Sequence, residues 1–181
     1  LKLGFSRHGV VFAAGSTSNG WQAMNTEATV KVWDPFVRVF HWALVALFLT
    51  AYLTEGEVMP LHAWAGYGIL ILIGLRMVWG FVGTRHARFA DFVRGPRAVM
   101  TDLRSTLTGR ARHYLGHDPA GGAMILLLMA ALLGTGLLGM MLLGIEEHAG
   151  PLAGWTAGMG EGSEEAVEEA HEVLANLSLL L

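Results

Sequence analysis

The chain has 181 residues, of which 53% are hydrophobic and 15% charged, with a formal net charge of −3. That composition is too apolar for an ordinary soluble domain and gives no electrostatic reason to expect a nucleic-acid partner. The absence of cysteine excludes disulfides, thiolate-bound iron–sulfur clusters and covalently attached c-type haem, leaving histidine and methionine as the strong metal ligands.

Residues Leu1 to Ala23 are rich in Gly and Ser and contain no apolar run of signal-peptide type. Met24, followed by a polar lead, reads as a natural start, with residues 1–23 as an upstream extension; a genuine disordered tail is the alternative. Asp34-Pro35 is a helix start, an N-cap acceptor followed by proline at the first helical position. The run from Phe36 to about Thr54 is apolar apart from Arg38 and His41, and we read it as a first membrane span. Glu55-Gly56-Glu57 breaks it, and Pro60 restarts a second span over about 61–83, with His62 near its beginning and Arg76 near its end. Asp118-Pro119 opens a third span to about Gly144 that carries no charge. Its glycines at 134, 136 and 139 permit close approach of a neighbour. A fourth helix is expected over 164–181. Its first turns carry Glu164, Glu165, Glu168 and Glu169, which suits the positive end of the helix dipole. Its apolar part covers only about nine residues before Leu181, short of the roughly 20 that a span needs. The fold expected for residues 24–181 is therefore an all-α integral membrane four-helix bundle whose fourth helix is incomplete.

Orientation follows from the loops. Between Thr84 and Leu115 lie seven arginines and two aspartates; between Ile145 and Ala170 lie seven glutamates and no Lys or Arg. The positive-inside rule then places the arginine loop and the N-terminus in the cytoplasm and the glutamate loop outside.

Histidines within spans are functional candidates. His62 and His171 both fall toward the outer ends of their helices, and His41 toward the cytoplasmic end of the first. A haem iron with two imidazole ligands needs histidines on different helices at matched depth, which pairs His62 with His171. Gly66, one turn past His62, leaves room for a ring edge. The alternative for His62 is an interfacial histidine without a ligand. His41 lacks a partner at its depth. A residue fourteen beyond His171 would share its face about 21 Å deeper, four positions past Leu181. His86, His113, His117 and His148 read as solvated loop histidines. Arg76, about 21 Å along the helix from His62, falls near the level of His41. It is a candidate partner for a haem propionate, as is Arg38; a snorkelling arginine is the alternative.

Several of these residues carry a family resemblance. Val32-Trp33-Asp34-Pro35 with Arg38 and Phe40-His41-Trp42 resembles the opening of the bacterial cytochrome b561 family, which includes the b-type cytochrome subunits of nickel–iron hydrogenases. Leu61-His62, Gly66-Tyr67, Arg76 with Trp79-Gly80, and the segment from Gly83 to Phe89 continue it. So do Tyr114 to Gly121 and His171-Glu172-Val173-Leu174-Ala175-Asn176. The resemblance covers about Val30 to Leu181. It departs from the family at Asp118, where asparagine is usual; aspartate caps a helix equally well. It implies four transmembrane helices and two b haems, with His62 and His171 binding the outer haem and His41 the inner one. The family carries two histidines on helix four and this sequence holds one, so the inner site is incomplete within these 181 residues.

On this reading the protein is an electron-transfer protein of a bacterial inner membrane, a subunit of an oxidoreductase complex or a carrier by itself. A bis-histidine haem leaves no open position for substrate chemistry. The implied partners are membrane lipid, quinone and a redox protein or oxidoreductase subunit, with homodimerisation open and no nucleic acid. The rivals are a histidine-using metal-ion transporter and a haem-free membrane anchor subunit. A transporter should gather polar groups near the bilayer midplane, whereas these histidines lie toward span ends.

Overall fold

A computed structural model of the chain describes residues 34–84, 87–109 and 118–181. The expected extension over 1–23, and His86, His113 and His117, lie outside the described residues. The described residues are helical with connecting turns: α1 (Pro35–Leu53), α2 (Met59–Val82), α3 (Phe89–Phe92), α4 (Pro96–Leu107), α5 (Pro119–Glu146), α6 (Ala153–Thr156) and α7 (Glu161–Leu180). The four long helices expected from sequence are present, each with bounds within a few residues. The short helices α3, α4 and α6 lie in the two charged loops.

Local chemistry sets the boundaries. Asp34 caps α1, its Oδ1 accepting from the Phe36 N–H at 2.8 Å, with Pro35 in the first turn. Asp118 caps α5 in the same way, accepting from the Gly121 N–H at 2.7 Å. At the turn after α1, Gly56 adopts φ +73°, a left-handed conformation that costs glycine nothing, and the chain reverses into α2.

Helix α1 packs on α2, α2 on α5, and α5 on α7. The core is one cluster of Leu44, Ile69, Ile73 and Leu132, drawn from α1, α2 and α5 and extended by Phe40, Leu47 and Phe48. This core is small for the apolar content of the helices. Trp42, Trp64 and Phe81 are 69%, 74% and 71% exposed. A protein in water does not leave such large apolar surfaces open over whole helices. Helices α1, α2 and α5 are each long and apolar enough to cross a bilayer. The protein is thus an all-helical membrane protein in which, among the described residues, three helices meet that requirement. Helix α7 does not: acidic in its first turns and apolar toward Leu180, it lies along α5 as a fourth member of the bundle.

Two close approaches position α5. A Cβ on Gly136 would lie 2.6 Å from Leu70 of α2, and one on Gly139 would lie 2.9 Å from the His171 ring of α7. Hydrogens on these glycines let α2 and α7 reach the α5 backbone from two sides, the role expected of them. Gly134 does the same for Leu174.

Candidate haem-binding site

The site lies at the end of the bundle where α1 finishes and α2 begins. The last turn of a helix lacks the regular i→i+4 bonds, and the Ala51 carbonyl of α1, which takes long bonds from the Thr54 N–H at 3.3 Å and the Thr54 hydroxyl at 3.4 Å, can still accept from outside the helix. His62, one turn into α2, places its Nδ1 2.9 Å from that oxygen. A carbonyl can only accept, so Nδ1 carries a proton, and in the neutral tautomer that a metal ligand requires the lone pair is then on Nε2.

His171 repeats the arrangement from the other side. Its Nδ1 lies 2.9 Å from the Thr135 carbonyl of α5, which again reserves Nε2 as the free nitrogen. Reaching a mid-helix carbonyl requires an opening in the side-chain layer. Gly139, one turn further along α5, provides it, because its missing Cβ is where the imidazole lies. Asn176, further along α7, accepts through Oδ1 from the Tyr52 hydroxyl of α1 at 3.2 Å. This bond ties α7 to α1 across the site.

The two imidazoles, from helices more than a hundred positions apart in sequence, have ring centroids 6.0 Å apart and planes inclined by 61°. Both line a cavity of about 310 Å³ between α1, α2, α5 and α7. Its walls are mostly apolar, with Phe48, Ile69, Leu70, Leu132 and Leu143 among them, and Gly66, Gly136 and Gly139 contribute bare backbone. Nothing would stand within 4 Å of a Cβ on Gly66, so space is open there, as the sequence suggested.

These residues fit the b haem that the resemblance implies. Each imidazole offers one unprotonated nitrogen, and its other nitrogen is fixed to a carbonyl, the usual way a ligating histidine is oriented. A centroid separation of 6.0 Å leaves room for one metal ion bonded at about 2 Å to a nitrogen of each ring. The bare and apolar walls suit a flat macrocycle. The polar rim is acidic: Glu55, Glu146, Glu168 and Glu172 line the cavity, and no Lys or Arg among the described residues does so.

The other candidates lie elsewhere. His41 is exposed on α1, with its ring edge-on to Trp42 at 5.8 Å. It stands ten residues before Ala51, hence about 15 Å along the helix from the anchor of His62, and it is not brought to the histidine pair. Arg38 is exposed one turn earlier. Arg76 is only 4% exposed. Its guanidinium carbon lies 5.2 Å from the Phe89 ring centre and 5.9 Å from that of Phe92. Its Nη1 is buried without a hydrogen-bond partner among the described residues, which argues against a snorkelling arginine. The Asp34 charge also acts on it, but a buried guanidinium with one nitrogen left without an acceptor is costly unless an anion joins it.

At that same end Asp34 does more than cap α1. Its Oδ2 accepts from the Trp79 indole at 3.0 Å and from the Thr84 hydroxyl at 2.7 Å, and Phe36 stacks on Trp79 at 4.6 Å. Burial pushes the Asp34 carboxyl up. The hydrogen bonds from Thr84, Trp79 and the Phe36 and Val37 backbone outweigh it and hold the group below the usual carboxylate range.

Sequence reasoning missed the two carbonyl anchors, the Tyr52–Asn176 bond and the acidic rim. Backbone acceptors have no residue-type signal. The spacing of Gly139 on α5 was the one trace of the His171 anchor.

A family model described as prokaryotic cytochrome b561 matches residues 32–181. No curated protein and no solved structure gives a significant match.

Proposed function

The chain belongs to the prokaryotic cytochrome b561 family, membrane proteins that transfer electrons through b haem, and from that premise we propose that His62 and His171 are the two axial ligands of one haem. The observation that carries this reading is the pair of imidazoles from α2 and α7, whose ring centroids lie 6.0 Å apart in one cavity with both Nδ1 atoms tied to carbonyls. Bound there, a b haem would supply one-electron exchange at an iron with no open position for oxygen or substrate.

The protein's own groups set the conditions of that exchange. The Ala51 and Thr135 carbonyls fix ring orientation and raise ligand basicity. Phe48, Ile69, Leu132 and Leu143 keep water from the cavity walls. The carboxylates of Glu55, Glu146, Glu168 and Glu172 disfavour an added electron and so lower the potential of the site.

A second haem belongs to the other end of the bundle, with His41 as a ligand and the unsatisfied Arg76 guanidinium as partner of a propionate; Arg38 is a further candidate there. Arginine and glutamate segregation supports a cytoplasmic arginine side, so the His62–His171 site faces outward in a bacterial inner membrane. The two sites together would pass electrons across the bilayer, between membrane quinone and a redox protein or oxidoreductase subunit. The purified protein should show a reducible low-spin b-type spectrum and be reduced by a quinol. A haem-free preparation from haem-sufficient cells would overturn the reading.

A further inference from the structure

Helix α4 has three faces that serve three different surroundings. Its one acidic residue, Asp102, is 4% exposed, and its Oδ2 accepts from the Ala120 N–H of α5 at 3.3 Å. That N–H is one of the unpartnered donors in the first turn of a membrane span. The bond therefore fastens α4 at the level where α5 enters the bilayer. Away from this contact, Met100, Leu103 and Leu107 recur at three- and four-residue spacing on one face. They are 52%, 44% and 79% exposed. Beside that stripe Arg97 and Arg104, seven residues apart, form a second line, and both are exposed. Neither has an acidic partner among the described residues. Arg94, just before the helix, is instead engaged with the Ala90 and Asp91 carbonyls.

We propose that α4 is a docking face for anionic phospholipid, with Met100, Leu103 and Leu107 entering the acyl boundary and Arg97 and Arg104 meeting headgroup phosphates. An apolar stripe flanked by cations on a short helix is the pattern of a segment lying in the plane of the interface. The Asp102 bond supplies what such a helix ordinarily lacks, a fixed depth and rotation. Anchoring removes the orientational cost from lipid capture, so two guanidiniums in a set geometry can select the phosphate-rich, negatively charged surface. The inference needs only that α5 crosses a bilayer. It depends neither on haem nor on which side α4 faces.

The chain holds no cysteine, so one cysteine can be placed and labelled uniquely. The test uses the full chain in phosphatidylcholine vesicles that contain phosphatidylglycerol. A fluorophore is attached at L107C, or at T101C on the arginine-side flank as control. Bromine-labelled phosphatidylglycerol or bromine-labelled phosphatidylcholine is the quencher. L107C should be quenched strongly and T101C weakly. Phosphatidylglycerol should be the better quencher at L107C, with enrichment on the order of fivefold per arginine at low salt that falls as salt is raised. The R97Q/R104Q double variant should equalise the two lipids while leaving L107C quenched. Unchanged circular dichroism and haem content would show that each variant is folded. Equal quenching by the two lipids with both arginines in place would overturn the proposal. So would quenching at L107C no greater than at T101C, the outcome expected if α4 meets a protein partner instead.

Discussion

The imidazole of His171 occupies the space that a side chain on Gly139 would fill, and this makes a single hydrogen atom decisive for the site. In Gly139→Ala the new Cβ would lie 2.9 Å from the ring. The ring must then leave the Thr135 carbonyl, losing a hydrogen bond worth about 1 kcal/mol and the alignment of Nε2. Gly74→Ala in α2 meets nothing within 4 Å and lies outside the cavity lining. We therefore expect G139A to lose the proposed haem at this end or convert it to a high-spin form, while G74A keeps it low-spin. Optical spectra of the two purified variants give the answer, and equal behaviour would count against the geometry. Arg76 poses the complementary case of a residue that lacks something: its buried Nη1 requires an acceptor that the described residues do not provide.

At the scale of elements, the helix starts were the most legible feature. Asp34-Pro35 and Asp118-Pro119 state cap and first turn within two residues, and both caps are made. The glycines of α5 were legible as sites of close approach, though not which neighbours would use them. Helices α3, α4 and α6 were not legible because they lie in polar loops without the long apolar runs that marked the spans. Asp34 also shows what a cap motif conceals, since its second oxygen joins α1 to Trp79 and Thr84. D34A should lower stability by about 0.5–2 kcal/mol for the cap, with a further loss from the α2 connection. Because the folded carboxyl is held below its ordinary value, its stabilisation is present in full above that ordinary value. It fades as pH falls through the depressed one. Thermal melts of wild type and D34N should therefore differ most near neutrality and converge in strong acid. A constant difference at all pH values would contradict the assignment.

Across the whole molecule, charge and histidine placement describe the same polarity. Arg88, Arg94, Arg97 and Arg104 lie in the segment between α2 and α5 at one end of the bundle, and Glu146 at the end of α5 with Glu168 and Glu172 of α7 line the cavity beside the histidine pair at the other. A reporter active only outside the cytoplasm should be silent at Arg97 and active at Gly158; the reverse pattern would invert the proposed direction of the bundle. Depth along the helices was enough to pair His62 with His171 from sequence, because helical rise is constant and each helix start was marked. The rest of the site was hidden because the Ala51 and Thr135 acceptors are main-chain atoms, and the acidic rim is assembled from four separate segments. The central claim is the pairing, and the most direct measurement is haem stoichiometry with the low-spin spectrum in H62A, H171A and H41A. The account predicts that H62A and H171A lose one and the same haem and that H41A retains it. Loss of different haems in H62A and H171A, or loss of none, would contradict it.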